Sequence, residues 1–134
     1  MTEKIATMYP CEKDTTRIET VFWNIEKNHQ LSEFYITLAL LGVSDKKQYD
    51  VEISVENVDT SSPKELHTYT LNSALFKGNN NCLADGTYTA SVTAPLQIGL
   101  VEGTYQVKAI LKCKDEVLDT NECNFYVKKV GDLA

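Results

Sequence analysis

Residues Gly99 to Val130 read GLVEGTYQVKAILKCKDEVLDTNECNFYVKKV. Tyr105, Val107, Ala109, Leu111 and Cys113 recur at every second position, with Gln106, Lys108 and Lys112 between them. Successive side chains of an extended chain point to opposite faces, so this spacing predicts a strand with one face buried and one in water. After the polar tip Lys114-Asp115-Glu116 the alternation resumes, with Cys123, Phe125 and Val127 inward and Glu122, Asn124, Tyr126 and Lys128 outward. Two such runs around a short charged tip predict a β-hairpin. With the tip centred near Asp115, Cys123 falls opposite Val107 and away from Cys113.

The lead-in, Leu100-Val101-Glu102-Gly103-Thr104-Tyr105, places a glycine two residues ahead of a tyrosine that opens a strand. This resembles the tyrosine corner of immunoglobulin-like sandwiches, in which a Tyr at the start of the penultimate strand hydrogen-bonds back to the preceding loop. The resemblance implies an all-β, antiparallel immunoglobulin-like β-sandwich. Two antibody hallmarks are missing: Val107 stands where the second disulfide cysteine would be, and Trp23 comes too early for the tryptophan of strand C. The expectation is a sandwich of the intracellular or bacterial type.

The remaining segments supply the other strands. Thr87 to Ala94 alternates until Pro95, which is expected to stop it. Asn72 to Gly86 is the longest irregular stretch, with two glycines and three consecutive asparagines that tolerate left-handed backbone. Leu66 to Leu71 is a modest strand near an edge, and Asp59 to Pro63 a loop. Tyr49 to Val55 alternates cleanly, whereas Phe34 to Leu41 is apolar on both faces and is expected to be a central strand covered on two sides. In Arg17 to Lys27, Val21, Trp23 and Ile25 share one face and Ile18 and Phe22 the other, before a turn at Asn28-His29-Gln30. Glu3 to Tyr9 reads as an N-terminal arm or edge strand ended by Pro10. The sum is about seven strands plus the arm in one domain, with the arm in residues 1–15 and the sandwich in 16–130. A closed barrel is the structural alternative.

A chain of 134 residues, 43% hydrophobic and 24% charged, is large enough for one core and has the composition of a globular domain. Its net charge of −6 argues against wrapping a phosphate backbone, so no nucleic-acid partner is expected. No apolar run approaches the roughly 20 residues of a membrane-spanning helix. The opening MTEKIATMYP lacks the apolar core of a signal peptide, which predicts a cytoplasmic location without membrane attachment. The four cysteines are then expected as thiols, Cys113 and Cys123 buried and Cys82 exposed in a loop.

Catalytic chemistry finds little to stand on. His29 and His67 are the two imidazoles, neither within a nucleophile–base motif. Glu52 and Glu56 lie on the wet face of one strand, where charge ordinarily goes. A copper site of the cupredoxin kind needs a His and a Met after Cys113, and a calcium loop needs closely spaced aspartates; neither occurs. No catalytic residue, cofactor or metal ligand is therefore assigned. Recognition remains. Leu75, Phe76, Asn79, Asn80 and Asn81, beside Cys82, set an apolar-aromatic pair among amides as an interface anchor. Tyr126, with Ile110 and Tyr35, offers a second apolar patch, and the N-terminal arm or the Leu66 strand offers an edge for a partner's strand or a second copy. The expected function is a non-enzymatic protein-interaction or accessory module. The alternative is a carrier of a small apolar ligand in a cavity lined by Trp23, Phe34 and Tyr105.

Overall fold

The computed structural model describes residues 2–12, 19–26, 34–60, 65–78, 80–96 and 99–130. These form two packed sheets. One has the order β1 (Lys4–Cys11), β3 (Phe34–Val43), β6 (Tyr88–Leu96); the other has the order β2 (Phe22–Glu26), β8 (Glu116–Val130), β7 (Gly103–Cys113), β4 (Tyr49–Asn57), β5 (Glu65–Leu71). The fold is an all-β sandwich, with the N-terminal arm as a full strand beside seven others. The asparagine-rich stretch adds one 3-10 turn, Ser73–Phe76.

The β7–β8 hairpin forms as its alternation requires. Tyr105, Val107, Ala109, Leu111, Phe125 and Val127 are buried, and Cys123 pairs with Val107. Lys114 and Asp115 both take positive φ, 49° and 66°, the twist that a two-residue hairpin loop needs. At the other end the Tyr105 hydroxyl donates to the Val101 carbonyl at 2.9 Å and accepts the Val101 N–H at 3.0 Å, closing the corner. Tyr105→Phe strands both main-chain groups, and a loss of about 1–2 kcal/mol is expected. Thermal melting reads this as a fall of several degrees, and an unchanged melt would remove the corner from the stabilising contacts.

Trp23, Phe34, Tyr105 and Phe125 fill one end of the core. Phe125 lies 5.1 Å from Trp23, 5.1 Å from Phe34 and 5.3 Å from Tyr105, ring centre to ring centre. A carrier would need Trp23, Phe34 and Tyr105 to line a ligand cavity, and instead they pack around Phe125.

Several expectations are corrected. Pro10 and Pro95 do not stop their strands: β1 continues to Cys11 and β6 to Leu96. Both strands are sheet edges, where a missing N–H can face away from the ladder. β3 is central, but its second side is covered only in part. Phe34, Ile36, Leu38 and Leu40 are buried, whereas on the opposite face Thr37 is buried, between Cys11 and Thr93, and Tyr35, Ala39 and Leu41 are partly exposed. The sandwich is also not wholly antiparallel, since β2 pairs parallel to β8, Phe22 beside Tyr126. The physical reason is the path of the N-terminal segment. Ile5 N–H donates to Asp119 Oδ2 at 2.8 Å and Asn121 Nδ2 donates to the Ile5 carbonyl at 3.1 Å. Glu19 and Thr20 then run antiparallel to the end of β1, Glu19 bridging Cys11 and Thr20 N–H donating to the Pro10 carbonyl, before β2 joins the other sheet alongside β8, with no hairpin to impose antiparallel pairing. The turn at Asn28-His29-Gln30, with Ile18, lies outside the described residues.

Each of the four cysteines is a free thiol. Cys82 is exposed as expected, and Cys11 is fully buried, its sulfur 3.3 Å from Thr37 Oγ1. Cys113 and Cys123 are partly rather than fully buried, yet burial, helped by the Glu19 charge, pushes the Cys123 thiol up to about 12. Such a thiol stays protonated and is a poor nucleophile. Among the described residues no helix is long and apolar enough to cross a membrane.

Candidate functional site

Two edges, β5 and β6, face each other across the side of the sandwich where the chain passes from one sheet to the other. Leu71 ends β5 with its side chain buried, and the 3-10 turn comes next, Leu75 N–H donating to the Asn72 carbonyl at 3.0 Å. Phe76 is tucked back to 7% exposure, its ring 6.0 Å from that of Tyr49. Leu75 projects outward at 78% exposure.

Asn81 ties the 3-10 turn to the start of β6. Its Nδ2 donates to the Phe76 carbonyl at 2.6 Å and to the Thr89 carbonyl at 2.8 Å, while its own main-chain carbonyl accepts the Thr89 N–H at 3.0 Å. Leu83 N–H donates to the Thr87 carbonyl at 2.7 Å, and Cys82 bridges to Tyr88. Residues 81–83 thus form a short stub of strand on the first residues of β6. A side chain on Gly78 would meet Asn81 Oδ1 at 2.6 Å, so the turn closes this tightly because that position has no Cβ.

Between β6, the end of β5 and the 3-10 turn lies a cleft of about 710 Å³. Its apolar wall includes Leu40, Leu71, Leu75, Phe76, Ala90 and Val92, with Asn81 and Thr70 among its polar members. A second, more polar hollow of about 420 Å³ shares Thr70, Leu71 and Asn72 and adds Lys46, Lys47 and Gln48. Beside it the Glu3 carboxylate, 8% exposed, accepts Lys47 Nζ at 2.9 Å and the Tyr49 hydroxyl at 3.0 Å. Burial works against the Glu3 charge, but hydrogen bonds from Lys47, its own backbone and Tyr49 hold the carboxyl below its ordinary range. Burial also pushes the Tyr49 hydroxyl up to about 12. The network fixes the start of β1 against the β3–β4 turn at the cleft end of the molecule. Tyr49 opens β4 and Tyr105 pairs with Asn57 at its close, so the filled aromatic cluster and the cleft lie at opposite ends.

Of the residues picked from the sequence, Leu75, Phe76 and Asn81 meet at this cleft. Asn80 is exposed close by, and Asn79 lies outside the described residues. Tyr126 is elsewhere, on the outer face of the five-stranded sheet, opposite Thr104 and stacked on Phe22 at 5.8 Å. It forms no patch with Ile110 or Tyr35. Ile110 is separated from it along the hairpin by the Gln106–Glu122 contact, and Tyr35 belongs to the other sheet. His67 Nε2 stands 3.9 Å from the Glu65 carboxylate, beyond hydrogen-bond reach, and His29 lies outside the described residues. Sequence reading missed Leu40, Leu71, Ala90 and Val92, which look like ordinary core positions until the two strand edges are seen to part.

No protein-family model matches the chain, and no curated protein does. Solved structures do. A β-glucuronidase from Bifidobacterium dentium is 12% identical, the match covering 94% of this chain and 18% of that one with a TM-score of 0.50. A glycosyl hydrolase family 2 member from Bacteroides cellulosilyticus is 13% identical, over 74% of this chain and 14% of that one, with a TM-score of 0.49. The CARDB domain of a Pyrococcus furiosus protein is 12% identical over 96% of this chain and 93% of that one, with a TM-score of 0.46. The chain thus spans under a fifth of the length of these hydrolases, and the likeness to the β-glucuronidase is one of fold.

Proposed function

We propose that this chain is a non-enzymatic interaction module, an accessory β-sandwich that takes an apolar side chain or short apolar segment of a partner protein into the cleft between β5 and β6. The observation that carries this reading is the cleft itself: about 710 Å³, walled by apolar side chains, with Leu75 projecting beside it, in a molecule whose aromatic core is filled. An apolar anchor next to a desolvated pocket is the arrangement that dominates interface energies. The likeness to one portion of a longer β-glucuronidase supports an accessory role, as a fold of this kind is there one part of a larger chain. The 3.9 Å gap between His67 and Glu65 suits an edge strand better than an oriented general base. The size of the cleft also lies within the roughly 300–1,000 Å³ of small-molecule pockets, which keeps an apolar ligand as the second reading.

The test is site-specific photo-crosslinking in the protein's own cells. A benzoylphenylalanine at position 75 is expected to capture a protein, and the same probe at Val58, exposed at the opposite end, is not. Capture at both positions alike, or none at 75, would overturn the reading. A small bound mass in native mass spectrometry would select the second. Leu75→Asp is expected to abolish partner retention while changing stability by no more than about 0.5 kcal/mol, as exposed substitutions ordinarily do.

A further inference from the structure

Four strands end the two sheets, β1 and β6 in one and β2 and β5 in the other. Unpaired edges template association, and proteins ordinarily blunt them. Three of these are blunted. On β1, side chains of Asp119 and Asn121 occupy Ile5, and Thr20 N–H takes the Pro10 carbonyl at 2.8 Å. On β6, residues 81–83 cover the start, and near the end Pro95 lacks an N–H and its carbonyl accepts the Tyr69 hydroxyl at 2.5 Å. β2 is five residues long. Among the described residues β5 has none of these devices. Its sequence, ELHTYTL, contains no proline or lysine, and it runs along β4 from Tyr49–Leu71 to Val55–Glu65 without a register shift. Among the described residues no strand lies on its outer side.

We infer that β5 pairs antiparallel with β5 of a second copy across a two-fold axis, joining the two five-stranded sheets into one. Residues that face each other in such a pair must lie on the same face of the sheet. Among the registers that satisfy this, the one centred on Thr68 pairs all seven residues. It sets Leu66 opposite Thr70, His67 opposite Tyr69, Glu65 opposite Leu71, and Thr68 against its own copy. Glu65 is the strand's one charged residue, so no like charges meet, and the self-facing threonines are a favourable cross-strand pair. Leu66, 63% exposed in the single chain, gains a neighbour. The contact is self-complementary, as a two-fold interface requires. One strand edge buries less than the roughly 1,200 Å² at which stable interfaces begin, so the dimer is concentration-dependent. The paired strand shares Thr70 and Leu71 with the cleft wall, but the inference rests on the strand edge and not on what the cleft binds.

Sedimentation velocity over a concentration series tests it. L66K/T70K sets like charges opposite one another on both sides of the axis, and L66E/T70K sets opposite charges in the same places; Lys at 70 in both variants faces Asp50, which in the wild type accepts the Thr70 hydroxyl at 2.8 Å. Both sites are exposed, so each variant is expected to melt as a folded protein. The wild type is expected to dimerise as concentration rises, L66K/T70K to associate at least about tenfold more weakly, and L66E/T70K to recover. Amide exchange in residues 65–71 should slow with concentration in the wild type. A wild type that stays monomeric at millimolar concentration, a dimer indifferent to L66K/T70K, or an L66E/T70K variant as weak as L66K/T70K would each overturn the inference.

Discussion

Phe125→Ala is expected to cost about 3–5 kcal/mol, the range for truncating a buried aromatic ring. The ring stacks on Tyr105 and meets Trp23 and Phe34 edge-on or tilted, so it joins strands of both sheets. Removing it deletes transfer energy and leaves a space whose walls belong to separate strands held by their own ladders, which limits collapse. Domains of this size are stable by about 5–15 kcal/mol in all, so the variant keeps a fraction of its stability. Urea denaturation checks this through the midpoint at unchanged slope. A loss below about 1 kcal/mol would mean that the cluster is not what holds the sheets together at this end.

Gly103→Ala is expected to cost on the order of 3 kcal/mol, because two separate penalties coincide. Gly103 has φ +148°, a conformation L side chains rarely adopt, and an added Cβ would stand 2.6 Å from Asn57 Nδ2 and 3.0 Å from its Oδ1. Asn57 cannot move aside cheaply. It is buried, and its Oδ1 accepts the N–H groups of Asp59 at 3.0 Å and Thr60 at 3.3 Å, which shape the turn after β4. Gly86 is the internal comparison: its φ is +86°, yet a Cβ there meets nothing within 4 Å. Gly86→Ala should carry the backbone penalty alone, about 1 kcal/mol. Thermal melts of the two variants separate the cases, and equal losses would show that the Asn57 contact contributes nothing.

Much of the fold was legible because side-chain parity survives into three dimensions. Tyr105 to Leu111 point inward as their spacing requires, and the glycine two residues before Tyr105 does mark a corner closed on Val101. Misreadings came where the outcome depends on which strand lies beside which. Pro10 and Pro95 read as terminators because a proline is incompatible with a central strand, and sequence does not say that both strands are edges. Tyr126, Ile110 and Tyr35 share an outward parity, but parity carries no information about sheet or position along it. The cleft was half visible. Leu75, Phe76 and Asn81 stood out as odd residues in a loop, while Leu40, Leu71, Ala90 and Val92 gave no signal because their place on the cleft wall arises from five strands packing against three.

The bond between Ile5 and Asp119 joins residues 114 positions apart. Loop closure over such a span is entropically expensive, and contacts of this kind slow folding. During synthesis the first strand emerges long before the last, so β1 can lie against β3 while the Asp119 and Asn121 side chains that take up Ile5 are still inside the ribosome. The segment made first is therefore the one secured last. Until then the main chain at Ile5 is open on a nascent molecule, with Thr20 guarding only the Pro10 end, and a truncation before Asp119 would leave the Ile5 end permanently unguarded.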